Sequence, residues 1–165
     1  MSVAGFRIRT ARVADLVGVV AIERGIPEAP HWAEVEYAAM VNADGDVDSR
    51  VRRCLLVAEA EGRIVGFAVG KAIGSGAGSM AELESVVVDA ATRREGAGRA
   101  LCEAVIAWCR EKKVATVELE VRAGSLGAIA LYTRLGFVAV GRRGGYYREP
   151  VEDAVMMRLD LGGNL

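Results

Sequence analysis

The sequence predicts an α/β or α+β fold in which helices cover a central mixed sheet. Three observations predict it. Apolar residues follow two periods: about two in runs such as Phe6–Thr10, and three to four in runs such as Leu101, Val105, Trp108 and Cys109. These are the marks of strand and helix. The two kinds of run interleave as β, α, α, β, β, β, α, β, α, β, β, with no internal repeat. With 165 residues, 52% of them hydrophobic, the chain can bury the core of one domain, since domains run to roughly 100–200 residues.

Each element has a local reason. Phe6–Thr10 alternates as a strand, and residues 15–24 set Leu16, Val19, Val20 and Ile22 at helical spacing. Pro27 and Pro30 break the chain before a second helix over 32–41, and the Asp-rich stretch 42–48 reads as a solvated loop. The β-branched runs 54–60 and Arg63–Ile73 flank Glu61-Gly62, a pair suited to a two-residue hairpin. Residues 74–79, all Gly, Ser or Ala, read as a flexible connector; they lead into a strand rather than a helix and so offer no helix N-terminus to a phosphate. In the strand over 83–89, Val86, Val87 and Val88 are apolar toward both faces, as in the covered middle of a sheet. A helix over 98–112 packs its Leu101 face on the sheet and turns Arg99, Glu103 and Arg110 outward. Then come a strand over 114–121, a helix over 126–135 with Ser125 as N-cap and Gly136 as its stop, and strands over 137–141 and 154–161.

Composition excludes several classes of function. With 21 basic against 22 acidic side chains, no global positive field exists to hold nucleic acid. The longest apolar runs, 16–22 and 64–70, are seven residues, against the ~18–20 that a membrane helix needs. The first residues lack the basic start and apolar stretch of a signal peptide, so a cytoplasmic protein with no membrane partner is expected. Cys102 and Cys109 fall on one helix, about 10 Å apart and beyond disulfide reach; with Cys54 they read as core residues. Asp44, Asp46 and Asp48 alternate as in a calcium loop, but the sixth and twelfth positions are Ser49 and Leu55 instead of Gly and Glu. No metal site is expected, and oligomeric state leaves no signature.

The chemistry starts at Arg93-Arg94-Glu95-Gly96-Ala97-Gly98, between the strand over 83–89 and the helix that follows. Glycines there let the backbone turn tightly and approach a ligand, while the first helical N–H groups point at an anion. The implied ligand is a phosphate. R-x-x-G-x-G is neither a P-loop, which needs Lys-Ser/Thr, nor a dinucleotide fingerprint, whose third glycine would fall at Leu101. On the strand over 114–121, Val117, Leu119 and Val121 alternate with Glu118, Glu120 and Arg122. A polar face on a central strand asks for a cleft.

In this setting the loop resembles the pyrophosphate loop of the GNAT superfamily of acetyl-CoA-dependent N-acetyltransferases. Three further segments extend the likeness: Leu119-Glu120-Val121-Arg122; Ala128-Ile129-Ala130-Leu131-Tyr132 with Leu135-Gly136-Phe137; and Tyr146-Tyr147 followed by Glu152-Asp153-Ala154-Val155-Met156-Met157. Together they are similar to the RimI type, which acetylates the N-terminal alanine of a ribosomal protein. The resemblance covers 83–161 closely and the N-terminal half in element order only. It implies a splayed sheet whose parallel strands 83–88 and 114–121 part to admit the pantetheine arm. It also implies acetyl-CoA as cofactor, held by Val86, Val87 and Val88, by Arg93, Arg94, Glu95, Gly96, Ala97, Gly98 and Arg99, and by Ser125. The implied partner is a protein or peptide N-terminus, a ribosomal protein in the type case.

Acetyl transfer to an amine needs a neutral nitrogen, a donor for the oxyanion and a proton for the leaving thiolate. An α-amine, with pKa about 7.7–8.0, yields its proton more easily than a lysine near 10.4. The resemblance puts the base at Glu120, the acid at Tyr132 and the oxyanion donor at a backbone N–H near Val87. Glu84, on the neighbouring strand, could share or replace the base. The family's Arg-x-x-Asn is here Arg122-Ala123-Gly124-Ser125, which trades an amide for a hydroxyl with one donor. Trp32 in the loop 25–32, Glu84, and the loop around Tyr146 and Tyr147 are expected to meet the acceptor, with His31, the sole histidine, a loop residue. Two other readings stay open: a GNAT acting on a lysine or small amine, and a non-catalytic acyl-CoA-binding module. The latter could discard Glu120 and Tyr132, yet both are present.

Overall fold

The computed structural model describes residues 2–3, 5–26, 32–41, 50–93 and 95–162. The strands are β1 (Ser2–Val3), β2 (Phe6–Thr10), β3 (Val51–Ala60), β4 (Arg63–Ile73), β5 (Gly76–Val88), β6 (Val114–Arg122), β7 (Val138–Tyr147) and β8 (Glu152–Asp160). Among the described residues the α-helices are α1 (Leu16–Arg24), α2 (Glu34–Val41), α3 (Ala97–Glu111) and α4 (Leu126–Arg134). The strands form one mixed sheet in the order β1-β2-β3-β4-β5-β6-β8-β7, in which only β5 and β6 run parallel. The predicted element order and mixed class hold.

Two apolar clusters sandwich the sheet. On one face Leu101, Val105 and Cys109 of α3 pack with Val117, Leu119 and Phe137; on the other, Leu16, Val19 and Tyr37 of α1 and α2 pack with Leu55, Val57 and Phe67. Strands β3 and β4, buried on both faces, therefore carry continuous apolar runs. Gly70 lets α3 lie close: a Cβ there would sit 2.9 Å from Val105 Cγ1. The turn Glu61-Gly62 has φ of 50° and 75°, the left-handed pair that a tight hairpin needs. At the N-terminal end Arg9 bonds both Asp15 and Glu59 at 2.7 Å, joining β2 and β3 to the start of α1. The Arg9 guanidinium holds the Asp15 carboxyl below its ordinary range.

The sheet opens at one place. Pairing of β5 with β6 runs from Gly76 opposite Val114 to Glu82 opposite Glu118 and then ends, while β4 stays paired to β5 and β8 to β6. From Leu83 and Leu119 onward the two strands diverge. A β-bulge sits at the fork: Ser85 pairs with Val69 and Leu83 with Gly70, leaving Glu84 as the extra residue. The bulge shifts the alternation, so that Leu83, Val86 and Val88 face α3 while Val87 faces α1 and α2.

Four expectations are corrected. Gly76 to Ser79 belong to β5 and are not a connector, because Ser79 Oγ accepts the Ala115 N–H at 2.9 Å and Gly76 N–H bonds Lys113 O at 2.8 Å. Strand β5 ends at Val88; Asp89 instead accepts the Ala91 N–H and caps a short 3-10 turn. Strand β7 runs on to Tyr147, which pairs with Glu152, so the two tyrosines end a strand and are not in a loop. Ser125 makes no side-chain cap to α4; Glu152 from β8 takes the nearby Gly124 N–H at 2.6 Å. Gly136 follows α4 with φ 104°, the left-handed stop. The three cysteines are buried thiols, not disulfides. Pro27, Pro30, His31, Arg94 and the loop holding Asp44, Asp46 and Asp48 lie outside the described residues.

Candidate active site

The loop after β5 is shaped by its glycines. Gly96 has φ 96° and precedes α3 with no side-chain cap, so the first N–H groups of that helix have no internal acceptor. A Cβ on Gly96 would meet nothing within 4 Å, and one on Gly98 would touch only Val88 at 3.7 Å and Leu131 at 4.0 Å. The loop faces open space. That space is a cleft of about 1100 Å³ running from the loop into the fork between β5 and β6. Val86, Val87, Val88, Arg93, Ala97 and Arg99 line it, and so do Glu120, Ser125, Tyr132 and Tyr147. Val87 turns its side chain into the α1–α2 cluster and its backbone pairs with Phe67 of β4, whereas Val88 carries its carbonyl away from β4, to Arg93. Because β5 has lost its strand partner on this side, backbone N–H groups are available there.

A second pocket of about 290 Å³ opens beyond the fork, lined by Trp32, Glu82, Glu84, Glu118, Glu120, Tyr146 and Met156 among others. The two share Leu83, Glu84, Leu119, Glu120 and Tyr147. They meet where the strands part. Glu120 projects from the face of β6 opposite Leu119 and Val121, whereas Tyr132 packs with the α3 cluster, so the carboxylate and the phenol reach the fork from opposite faces.

Their surroundings differ. Tyr132 stacks edge-on against Phe137 at 5.9 Å, and burial, with Cys102 and Tyr147 nearby, pushes its phenol above the ordinary value. It stays protonated. Glu120 lies 3.8 Å from Arg143 Nη2, and its carboxylate raises the pKa of the neighbouring Tyr146 phenol. Glu84 is bound to Arg53 Nε at 3.2 Å. Tyr147 is raised chiefly by burial and next by Glu120. Arg93 donates from Nε to Val88 O at 3.3 Å.

Of the residues expected at the site, Glu95 is exposed and lines neither pocket, and Arg94 is outside the described residues. Trp32 and Tyr146 line only the smaller pocket. Glu82 and Arg134 line the pockets with no motif to announce them. Period-two spacing carries the signal for Glu82, which stands two residues before Glu84. Among the described residues no group of His, Cys, Asp and Glu is placed to hold a metal, and no helix is long and apolar enough to cross a membrane.

Comparison with known proteins agrees with this architecture. The model of the acetyltransferase (GNAT) family matches residues 16–137. The [ribosomal protein bS18]-alanine N-acetyltransferase of Escherichia coli (strain K12) is 43% identical over 83 residues, 49% of this chain and 56% of that protein; the chain thus spans about half the length of such relatives. An N-alpha-acetyltransferase of Sulfurisphaera tokodaii is 32% identical over 94% of this chain and 93% of its own. The crystal structure of the ribosomal-protein-S18-alanine N-acetyltransferase from Escherichia coli superposes with a TM-score of 0.73 at 30% identity, covering 95% of this chain and 94% of that one. The fork in the sheet, the glycine loop and these matches lead to one conclusion: the chain belongs to the acetyltransferase (GNAT) family.

Proposed function

We propose that this protein is an acetyl-CoA-dependent N-acetyltransferase acting on the α-amine of a protein or peptide N-terminus. The observation that carries this reading is the meeting of Glu120 and Tyr132 at the fork, one from each face, between a large cleft and a smaller pocket. Acetyl-CoA fits the large cleft. Gly96 and Gly98 leave room for a diphosphate beside the start of α3, and Arg93, Arg99 and Arg134 line the same space. When bound there it supplies an activated acetyl group at the fork.

The chain's residues then divide the work. A backbone N–H of Val86–Val88, near Val87, meets the carbonyl oxygen as negative charge gathers on it. Glu120, directly or through a water, takes the proton from the attacking amine, and the new C–N bond forms as the C–S bond breaks. Tyr132 gives its phenolic proton to the departing sulfur; its raised pKa keeps that proton in place until then. Glu120 is favoured over Glu84 because the Arg53 guanidinium already engages Glu84 at 3.2 Å. The acceptor enters past Trp32, Tyr146 and Tyr147. The ribosomal-protein relatives point to an N-terminal alanine as the first acceptor to try.

The test compares one peptide in two forms: with a free N-terminal Ala or Ser, and N-acetylated with an accessible lysine. The free terminus should be acetylated far faster, since it offers an amine of moderate pKa and a slim chain end. Equal rates would shift the reading to a lysine or small-amine acetyltransferase. Acetyl-CoA binding without turnover on any amine would leave a binding module.

A further inference from the structure

We propose that Arg122 is a positioning residue that holds Tyr147 as the wall between the cofactor cleft and the acceptor pocket. The inference rests on the acetyl-transfer reading above. The Arg122 guanidinium lies 4.4 Å from the centre of the Tyr147 ring. From its edge Nη1 donates to Glu152 Oε1 at 3.3 Å and to Pro150 O at 3.2 Å, and the other Glu152 oxygen accepts the Gly124 N–H at 2.6 Å. One side chain, 15% exposed, therefore ties the end of β6 to the β7–β8 connection and, through Glu152, to the turn before α4.

Tyr147 needs such a hold. Its strand departs from regular pairing with β8 between Arg143 and Tyr147, so backbone bonds alone do not set the ring. Its position matters because it borders both spaces and stands edge-on to Tyr146, 5.1 Å away at 84°. Tyr146 in turn lines the smaller pocket together with Glu120. The order is serial: Arg122 sets Tyr147, Tyr147 backs Tyr146, and Tyr146 shares its pocket with the carboxylate that takes the amine proton. Lysine cannot substitute in full. A point charge can pair with Glu152 or lie over the ring, but it lacks the planar fork that does both at once.

The experiment is a double-mutant cycle of Arg122→Gln, Tyr147→Leu and the pair, with Arg122→Lys alongside, reading KM for acceptor and for acetyl-CoA, kcat, and melting temperature. Arg122→Gln should raise the acceptor KM about tenfold, the order of a desolvated cation–ring contact, while the acetyl-CoA KM moves less than about twofold. Arg122→Lys should recover part of that loss. In the Tyr147→Leu background the Arg122 change should add less than about twofold, because coupled residues are not additive. Additive effects, a matching rise in both KM values, or a lowered melting temperature with unchanged kinetics would overturn the proposal. If the acceptor proves to be a lysine or a small amine, the N-terminal reading fails, and the same cycle on that amine still decides Arg122. If no amine turns over, calorimetry of the acceptor peptide on CoA-loaded protein runs the cycle without chemistry, and absence of Arg122–Tyr147 coupling there overturns it. Should Arg122→Gln fail to fold, Arg122→Lys carries the cycle.

Discussion

The two sides of the fork are built in opposite ways. The loop end of the cofactor side is one continuous stretch, the end of β5, the glycine loop and the start of α3, with β6 and α4 lining the rest, whereas the proposed acceptor pocket collects Trp32 from before α2, glutamates from β5 and β6, tyrosines from β7 and Met156 from β8. A grip made of neighbouring backbone N–H groups depends on a few glycines and should fail all at once. A pocket gathered from five segments shares its contacts among many side chains, so single changes there should tune rather than abolish.

The sharpest way to break that contrast is Gly96→Val. Its Cβ would project into the open cleft, and holding valine at φ 96° costs about 1–3 kcal/mol, small beside a typical stability of ~5–15 kcal/mol. Calorimetry should show acetyl-CoA affinity down by at least about hundredfold in a protein that still melts cooperatively. Full affinity would take the loop out of the site.

Tyr132→Phe comes next. Single-turnover rates should drop by about a hundredfold, the lower end of general-acid effects, with acetyl-CoA affinity held within about twofold. The pH profile sharpens the same point. Burial raises the folded phenol's pKa, so the proton-donating form persists past the ordinary value, and Tyr132 should cause no loss of rate up to about pH 10. An alkaline fall below that, absent in Tyr132→Phe, would contradict the assignment. Glu120→Gln should act on the amine side and weaken the dependence of rate on acceptor basicity.

On the acceptor side the effects should be smaller. Tyr146 borders only that pocket and Tyr147 borders both spaces. Tyr146→Ala should raise the peptide KM by about fivefold to tenfold, the scale of one aromatic contact, and spare that for acetyl-CoA, while Tyr147→Ala should raise the peptide KM well above any rise in that for acetyl-CoA. Indifference to either change would remove the pocket from acceptor recognition. The smallest effect is expected at the cysteines behind Tyr132. Burial pushes the Cys102 and Cys109 thiols up to about 12, so a thiol alkylator at pH 8 should neither label them nor lower activity until the protein unfolds. Rapid inactivation would show that the wall behind Tyr132 opens.

Where the reading of the chain succeeded, the reason was local. Glu61-Gly62 turns with both residues left-handed, Gly136 ends α4, and Glu120 alternates with Leu119 and Val121 on β6, each set by one residue's backbone freedom or by the period of a strand. It failed where distant partners decide. The residues from Gly76 to Ser79 have connector composition, but pairing of Gly76 with Val114 and the Ala115 N–H on Ser79 Oγ hold them to β6 as strand. The family resemblance implies a loop around Tyr146 and Tyr147, yet β8 extends β7 through them. Ser125 is a good cap by type, and Glu152 from across the sheet takes the neighbouring N–H instead.

The sequence by itself determined the mixed class, the order of elements, the glycine loop at a helix start and the identities of a carboxylate and a phenol at family spacing. The first three follow from periodicity and from what glycine permits, which act within a few residues; the carboxylate and the phenol are what the family resemblance implies. Only the tertiary structure decided where β5 and β6 part, that Glu84 is the bulged residue and is held by Arg53, and that Arg122 stacks on Tyr147. Those outcomes depend on register between strands and on charges brought together from far along the chain, and no local pattern encodes which of several carboxylates a given arginine will meet.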